Sequence, residues 1–185
     1  MRSLHTFGTF AFGAFGLGLL LAGCFSGEPS TPQDNGEITQ ICNEPKYTIA
    51  LGKIETTKEN ILSKKDFQAI LDESLAKSGC FKVESKISPT NYTLNIKYGF
   101  EIQETKEDTS AISTKDSATL KSDVSFTLTN KTSTIQQNAV STLKLSEKKY
   151  LGVGDELEIT QEQKQNVIRR SLRTIFNNLS NMPSK

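Results

Sequence analysis

The chain is 185 residues long, enough for one ordinary domain or at most two small ones. Lysine and arginine number 22 against 21 acidic residues, a net charge of +1, and the mean hydropathy is −0.40, so polyanion binding driven by net charge is disfavoured and no nucleic-acid partner is expected. The single histidine, His5, lies in the first 23 residues, and without it the chain cannot assemble a Ser-His-Asp or Cys-His system or an imidazole metal site.

Residues 1–23 form a class of their own. Arg2 is their only charged side chain, and they hold five of the twelve glycines and four of the ten phenylalanines. A charged start, an apolar centre from Phe10 to Ala22 and small residues at the end describe a secretory signal, too short and glycine-rich for a membrane span. The signal closes in Leu21-Ala22-Gly23-Cys24, which matches the lipobox of bacterial lipoproteins. That match implies cleavage before Cys24, acylation of the cysteine and anchoring in a lipid bilayer. Several acyl chains, at about 0.8 kcal/mol per buried methylene, hold far more firmly than one myristoyl group. Phe25 follows the cysteine where aspartate would imply inner-membrane retention, so the expected location is the periplasmic face of the outer membrane. Residues 24–44 then read as the acylated terminus and a Gly/Pro/polar tether.

The folded part is expected over 45–182. Tyr47, Ile49 and Leu51 alternate as a half-buried strand that closes with Ile54. Ser63-Lys64-Lys65-Asp66 resembles a capping box, and Phe67, Ile70, Leu71 and Leu75 follow at helical spacing to Gly79. Phe81, Val83 and Ile87 alternate again. Tyr92, Leu94, Ile96, Tyr98, Phe100 and Ile102 form the longest strict period-two run, the mark of a strand with one buried and one wet face, and its aromatic residues read as core. Residues 104–117 read as a polar connection. Ala118, Leu120, Val124, Phe126 and Leu128 make the next strand, Thr129 to Thr132 a turn, and Ile135, Ala139, Leu143 and Leu145 a less regular strand. Residues 146–158 read as a loop, both polar stretches being long enough to suggest a functional or mobile role. Thr160 to Gln163 caps a last helix whose stripe is Val167, Ile168, Leu172, Ile175, Phe176 and Leu179. The expected class is α+β: a two-layer β-α-β-β-β-β-α arrangement with two helices on one face of a mainly antiparallel sheet of four to five strands.

Candidate chemistry is sparse. Gly152-Val153-Gly154 lacks the third glycine of a phosphate cradle, and the carboxylates Glu101, Glu104, Glu107 and Asp108 have no spacing that nominates an acid and base pair. No catalytic centre, metal or cofactor is expected. Cys42 and Cys80 flank the first strand and helix, and in an oxidising compartment they can form a disulfide. Lys164, Arg169, Arg170 and Arg173 crowd one side of the last helix, a candidate contact for an anionic lipid or an acidic partner.

The lipobox, the short tether, the helix ending Leu75-Ala76-Lys77-Ser78-Gly79 and the strand Cys80-Phe81-Lys82-Val83 resemble the opening of several small periplasm-facing lipoproteins, and the strand Asn91 to Ile96, the long antiparallel pair and the closing helix over 160–182 resemble the LPS-assembly lipoproteins. That resemblance implies an accessory role in the outer membrane, with a β-barrel protein as partner and lipopolysaccharide as cargo. The chain's opening is similar as well to accessory lipoproteins of lipid ABC transporters, activators of peptidoglycan synthases and curli-secretion lipoproteins. The alternative is therefore a lipoprotein subunit of a secretion, pilus or lipid-transport machine, and a more remote one a cell-wall hydrolase using Asp or Glu.

Overall fold

Alternating apolar residues become the strands of one sheet, and the two capped runs become the helices that cover it. The computed structural model describes residues 34–57, 61–151, 153, 154 and 156–183. The signal segment, Cys24 and the first part of the expected tether lie outside the described residues. In chain order the elements are β1 (Tyr47–Thr56), α1 (Lys64–Ser78), β2 (Phe81–Val83), β3 (Tyr92–Ser110), β4 (Ser113–Thr129), β5 (Thr134–Tyr150) and α2 (Gln161–Ser180). The sheet runs β2-β1-β3-β4-β5, with β1 parallel to both its neighbours and β3, β4 and β5 an antiparallel meander. This is the expected α+β class.

Both helices start on caps. The Asp66 N–H donates to Ser63 Oγ (3.1 Å), and at α2 the Gln163 N–H donates to Thr160 Oγ1 (3.2 Å) while the Thr160 N–H donates to Gln163 Oε1 (2.9 Å). Gly79 ends α1 at φ 68°, where a Cβ would also come within 2.5 Å of the Cys42 carbonyl oxygen.

One face of the sheet carries the core. Leu94, Ile96, Tyr98 and Phe100 of β3 stand opposite Leu128, Phe126, Val124 and Ser122 of β4, and Ala139 and Leu143 of β5 continue the layer. The Phe67 ring of α1 stacks on Tyr98 at 3.9 Å between centroids, and Phe176 of α2 meets Phe126 edge-on at 6.0 Å, which places both helices on this face. Ser122 and Ser171, both fully buried, share a 2.8 Å hydrogen bond where α2 crosses β4, and the Ser122 hydroxyl reaches the Val167 carbonyl at 3.1 Å. Ser122→Ala should cost about 1–2 kcal/mol in urea unfolding, because the buried Ser171 hydroxyl loses its neighbour.

Four expectations need correction. β2 is only three residues long and Ile87 is 70% exposed, because the chain leaves the sheet after Val83. Residues 104–117 are not a connection but the outer halves of β3 and β4, paired from Glu104↔Ala118 to Ser110↔Ser113. Likewise β5 continues to Tyr150, well into the expected loop. Finally, part of the expected tether is packed: Ile38 and Cys42 are buried, and the Ile41 and Cys42 N–H groups both donate to the Ser78 carbonyl (2.9 and 3.0 Å), so the compact unit begins at Asp34.

Candidate functional site

Segment 34–42 is attached at both ends. At its far end Cys42 and Cys80 form a disulfide with Cα atoms 4.9 Å apart. At its near end the basic side of α2 grips it. Arg170 donates Nε–H to the Asp34 carbonyl oxygen at 2.7 Å, and Arg173 pairs with the Asp34 carboxylate and reaches the Glu37 carbonyl at 3.3 Å. Arg169 bonds Asn166 (3.2 Å) and lies 3.8 Å from Glu73, while Lys164 sits half-buried in the first turn of α2. Three of the four basic residues marked in the sequence therefore serve the protein's own acceptors. Gly36, at φ 69°, fits where a Cβ would come within 2.5 Å of the Asn166 carbonyl oxygen.

The Arg173 guanidinium holds the Asp34 carboxyl below its ordinary pKa. A lowered folded-state pKa contributes stability above the unfolded value, near 3.9, and that contribution is lost as pH falls through the folded value. The Gly36 N–H donates to Asp34 Oδ1 at 3.0 Å, so its amide resonance should hold steady down to about pH 4 and move only below it. Asp34 is half exposed, so the effect on global stability is small.

Beyond the core the three antiparallel strands continue together as an arm. Every residue of β3 from Gln103 to Ser110 is exposed, and these eight residues extend roughly 27 Å. The arm's stem is polar and of mixed charge, with Glu104, Lys106, Glu107, Asp108, Lys115, Glu147 and Lys148. On its inner side Asp116 and Lys149 form a largely buried 3.1 Å ion pair beside a cleft of about 250 Å³ that Glu156 and Leu157 help to line.

The tip reverses that polarity. Ile112, Tyr150, Leu151 and Val153 are 59, 60, 78 and 77% exposed, most of the large exposed apolar side chains among the described residues. Backbone bonds fasten them together: the Leu151 N–H donates to the Ile112 carbonyl (2.8 Å), and Tyr150 and Val153 exchange bonds of 3.0 and 2.9 Å. Leu151 has φ 52°, the left-handed region that a branched side chain rarely adopts. Glycine or asparagine would fit that backbone with less strain. In the sequence the four tip residues fall in two separate polar stretches, Ile112 in 104–117 and Tyr150, Leu151 and Val153 in 146–158, and form no periodic run.

A second apolar feature lies at the opposite end of β5. Tyr47, Tyr92, Ile135 and Met182 line a cleft of about 330 Å³ with Lys46 at its edge. The Tyr47 hydroxyl donates to the Leu179 carbonyl (3.1 Å), and burial pushes its pKa up. Tyr98 and Phe100 are core as expected, whereas Tyr92 is only half-buried at this cleft. No cluster of three or more His, Cys, Asp or Glu able to hold a metal occurs among the described residues, and no described helix is long and apolar enough to cross a membrane.

The sequence matches no protein-family model and no curated protein. Similar solved structures include a protein described as a neuraminyllactose-binding hemagglutinin homolog from Helicobacter pylori, 12% identical, TM-score 0.34, covering 77% of this chain and 86% of that one. They also include a minor lipoprotein from Acinetobacter baumannii, 12% identical, TM-score 0.31, with 74 and 90% covered. A third is PelC from Paraburkholderia phytofirmans, 7% identical, TM-score 0.31, with 77 and 93% covered. Likenesses at this level fix neither a family nor a function.

Proposed function

We propose that the protein is a non-catalytic accessory lipoprotein of the bacterial envelope, anchored through acylated Cys24 in the outer membrane and working by contact from its periplasmic face. The observation that carries the contact is the apolar tip on a polar arm, with Leu151 held at positive φ. A projecting stem with a solvated surface and a greasy end suits insertion into a partner, and it suits the interior of a folded core poorly. The lipobox Leu21-Ala22-Gly23-Cys24 supports the anchor. Nine residues, Phe25 to Gln33, separate Cys24 from Asp34, so an acylated Cys24 keeps Asp34 within roughly 35 Å of the bilayer even at full extension.

The partner in this reading is a large outer-membrane β-barrel and the process is lipopolysaccharide assembly, which rests on the resemblance in motif order. The arm tip takes the role of contact in preference to the α2 arginines, since Arg169, Arg170 and Arg173 already have internal acceptors. The test is photo-crosslinking of the acylated protein from Leu151 in intact membranes, followed by pull-down. The expected adduct is with a large β-barrel protein, and depletion of the lipoprotein should reduce surface lipopolysaccharide. Recovery of no barrel, together with normal surface lipopolysaccharide after depletion, would overturn the reading. With the crosslinker moved to Tyr150, which is also exposed at the tip, Leu151→Asn should lose most of the adduct while leaving stability unchanged or raised by about 1 kcal/mol, because asparagine tolerates the left-handed backbone.

A further inference from the structure

The sheet ends in two very different edges. β2 protects its side by being three residues long, whereas β5 runs seventeen residues without a bulge and, among the described residues, pairs only with β4 apart from the Tyr150–Val153 bridge at its far end. Edge strands are usually blunted by charge, proline or irregularity. The first nine residues of β5, Thr134-Ile135-Gln136-Gln137-Asn138-Ala139-Val140-Ser141-Thr142, contain no charge, proline or glycine. Val140 stands 52% exposed on their outer face.

The hydrogen-bond pattern fixes which backbone groups this edge offers. The Asn130 N–H donates to the Ser133 carbonyl at 3.0 Å, and the Leu151 N–H donates to the Ile112 carbonyl at 2.8 Å at the other end of the same ladder. Antiparallel ladders alternate bonded and non-bonded pairs, so odd residues of β5 exchange bonds with β4. Even residues, Thr134 through Thr142, point their N–H and C=O groups outward.

We infer that this edge pairs with the same edge of a second copy of the chain, antiparallel about a two-fold axis at Asn138. In that register Asn138 faces Asn138, Gln136 faces Val140 and Thr134 faces Thr142, so even residues meet even residues and every outward group of the stretch finds a partner. The register centres the uncharged stretch on itself and sets no like charges opposite one another, the first charged residue beyond it being Lys144. A two-fold pairing of one patch with itself is the commonest closed arrangement for identical chains. A nine-residue ladder is smaller than a standard interface of about 800 Å² per partner, so the dimer is reversible and depends on concentration.

The experiment is disulfide trapping of the full-length chain in detergent, with single cysteines at Asn138 and at Thr142 and the parent chain as the control for linkage through Cys24. Asn138→Cys should yield a covalent dimer, since bonded antiparallel partners have Cα atoms about 5.5 Å apart, within disulfide range. Thr142→Cys should not, because the two copies of residue 142 lie about 27 Å apart along the ladder. The double variant Thr134→Cys with Thr142→Cys should crosslink again. Adding Val140→Pro to Asn138→Cys should abolish the dimer with the circular dichroism unchanged, since that N–H faces outward and takes no part in the β4 ladder. No covalent dimer with Asn138→Cys, or equal trapping at positions 138 and 142, would overturn the pairing. These readouts need no barrel partner, so their failure is separate from that of the proposed function.

Discussion

Replacing Cys42 and Cys80 together by alanine is expected to lower stability by about 4 kcal/mol, the chain-entropy value for closing a loop of this length. The bridged residues are 38 apart in sequence, and the bridge joins the incoming segment to the junction of α1 and β2. Both cysteines are buried, and next to them the Ile41 and Cys42 N–H groups share the Ser78 carbonyl while Gly79 lies against the Cys42 carbonyl. The native contacts around the bridge are therefore close without it, and its main contribution is to restrict the unfolded chain. With a urea slope of about 2 kcal/mol/M, the unfolding midpoint should fall by about 2 M. Reduction of the unsubstituted protein preserves the sulfur volume and should produce most of the same shift. A fall of less than about 0.5 M in both experiments would show that the disulfide does not constrain the unfolded ensemble as this account requires.

The elements legible in the sequence are those with one dry face. β3 was readable from Tyr92 to Ile102 because alternate residues there enter the core, and both helices were readable because a cap and an apolar stripe coincide. Ile54 shows how a local irregularity interrupts such a signal. It stands three residues after Leu51, yet the two pair with Ile96 and Leu94, which are two apart, so β1 carries an extra residue at Gly52-Lys53. Asn95 Oδ1 accepts the Lys53 N–H of that bulge at 2.9 Å.

The outer halves of β3 and β4 were invisible for the opposite reason. Water reaches both faces of β3 there, and β4 turns polar side chains, Thr114 and the largely buried Asp116, to its inner face, so no apolar period-two run marks either strand. Their strand character comes from the ladder, which side-chain hydrophobicity does not record. The docking of segment 34–44 is not legible locally because it depends on Arg170 and Arg173, more than 130 residues away, on Cys80 through the disulfide, and on scattered buried residues, Ile38 and Cys42, within a polar run. The apolar tip is hidden in the same way, since Ile112 meets Leu151 only after the whole of β4, its turn and β5.

Phe176→Ala is the substitution expected to damage the core most, by about 3–5 kcal/mol. The side chain is fully buried and meets two rings edge-on, Phe81 of β2 at 5.2 Å and Phe126 of β4 at 6.0 Å. Each aromatic pair adds about 0.5–1.5 kcal/mol beyond the area it buries, so alanine removes two such contacts and leaves a void at the centre of the α2 interface. β2 is the element least able to absorb the loss: it has three residues, and Phe81 is its one buried side chain. Local opening of β2 should therefore rise together with global instability, and its amides should exchange faster than those of the β3–β4 ladder by more than global unfolding explains. Phe176→Leu keeps most of the apolar volume and should cost less than half as much in urea unfolding, with β2 exchange close to that of the parent. Equal costs for alanine and leucine would assign the stability at this site to the aromatic contacts alone, whereas a cost below about 1.5 kcal/mol for alanine would mean that α2 does not pack on the sheet through Phe176.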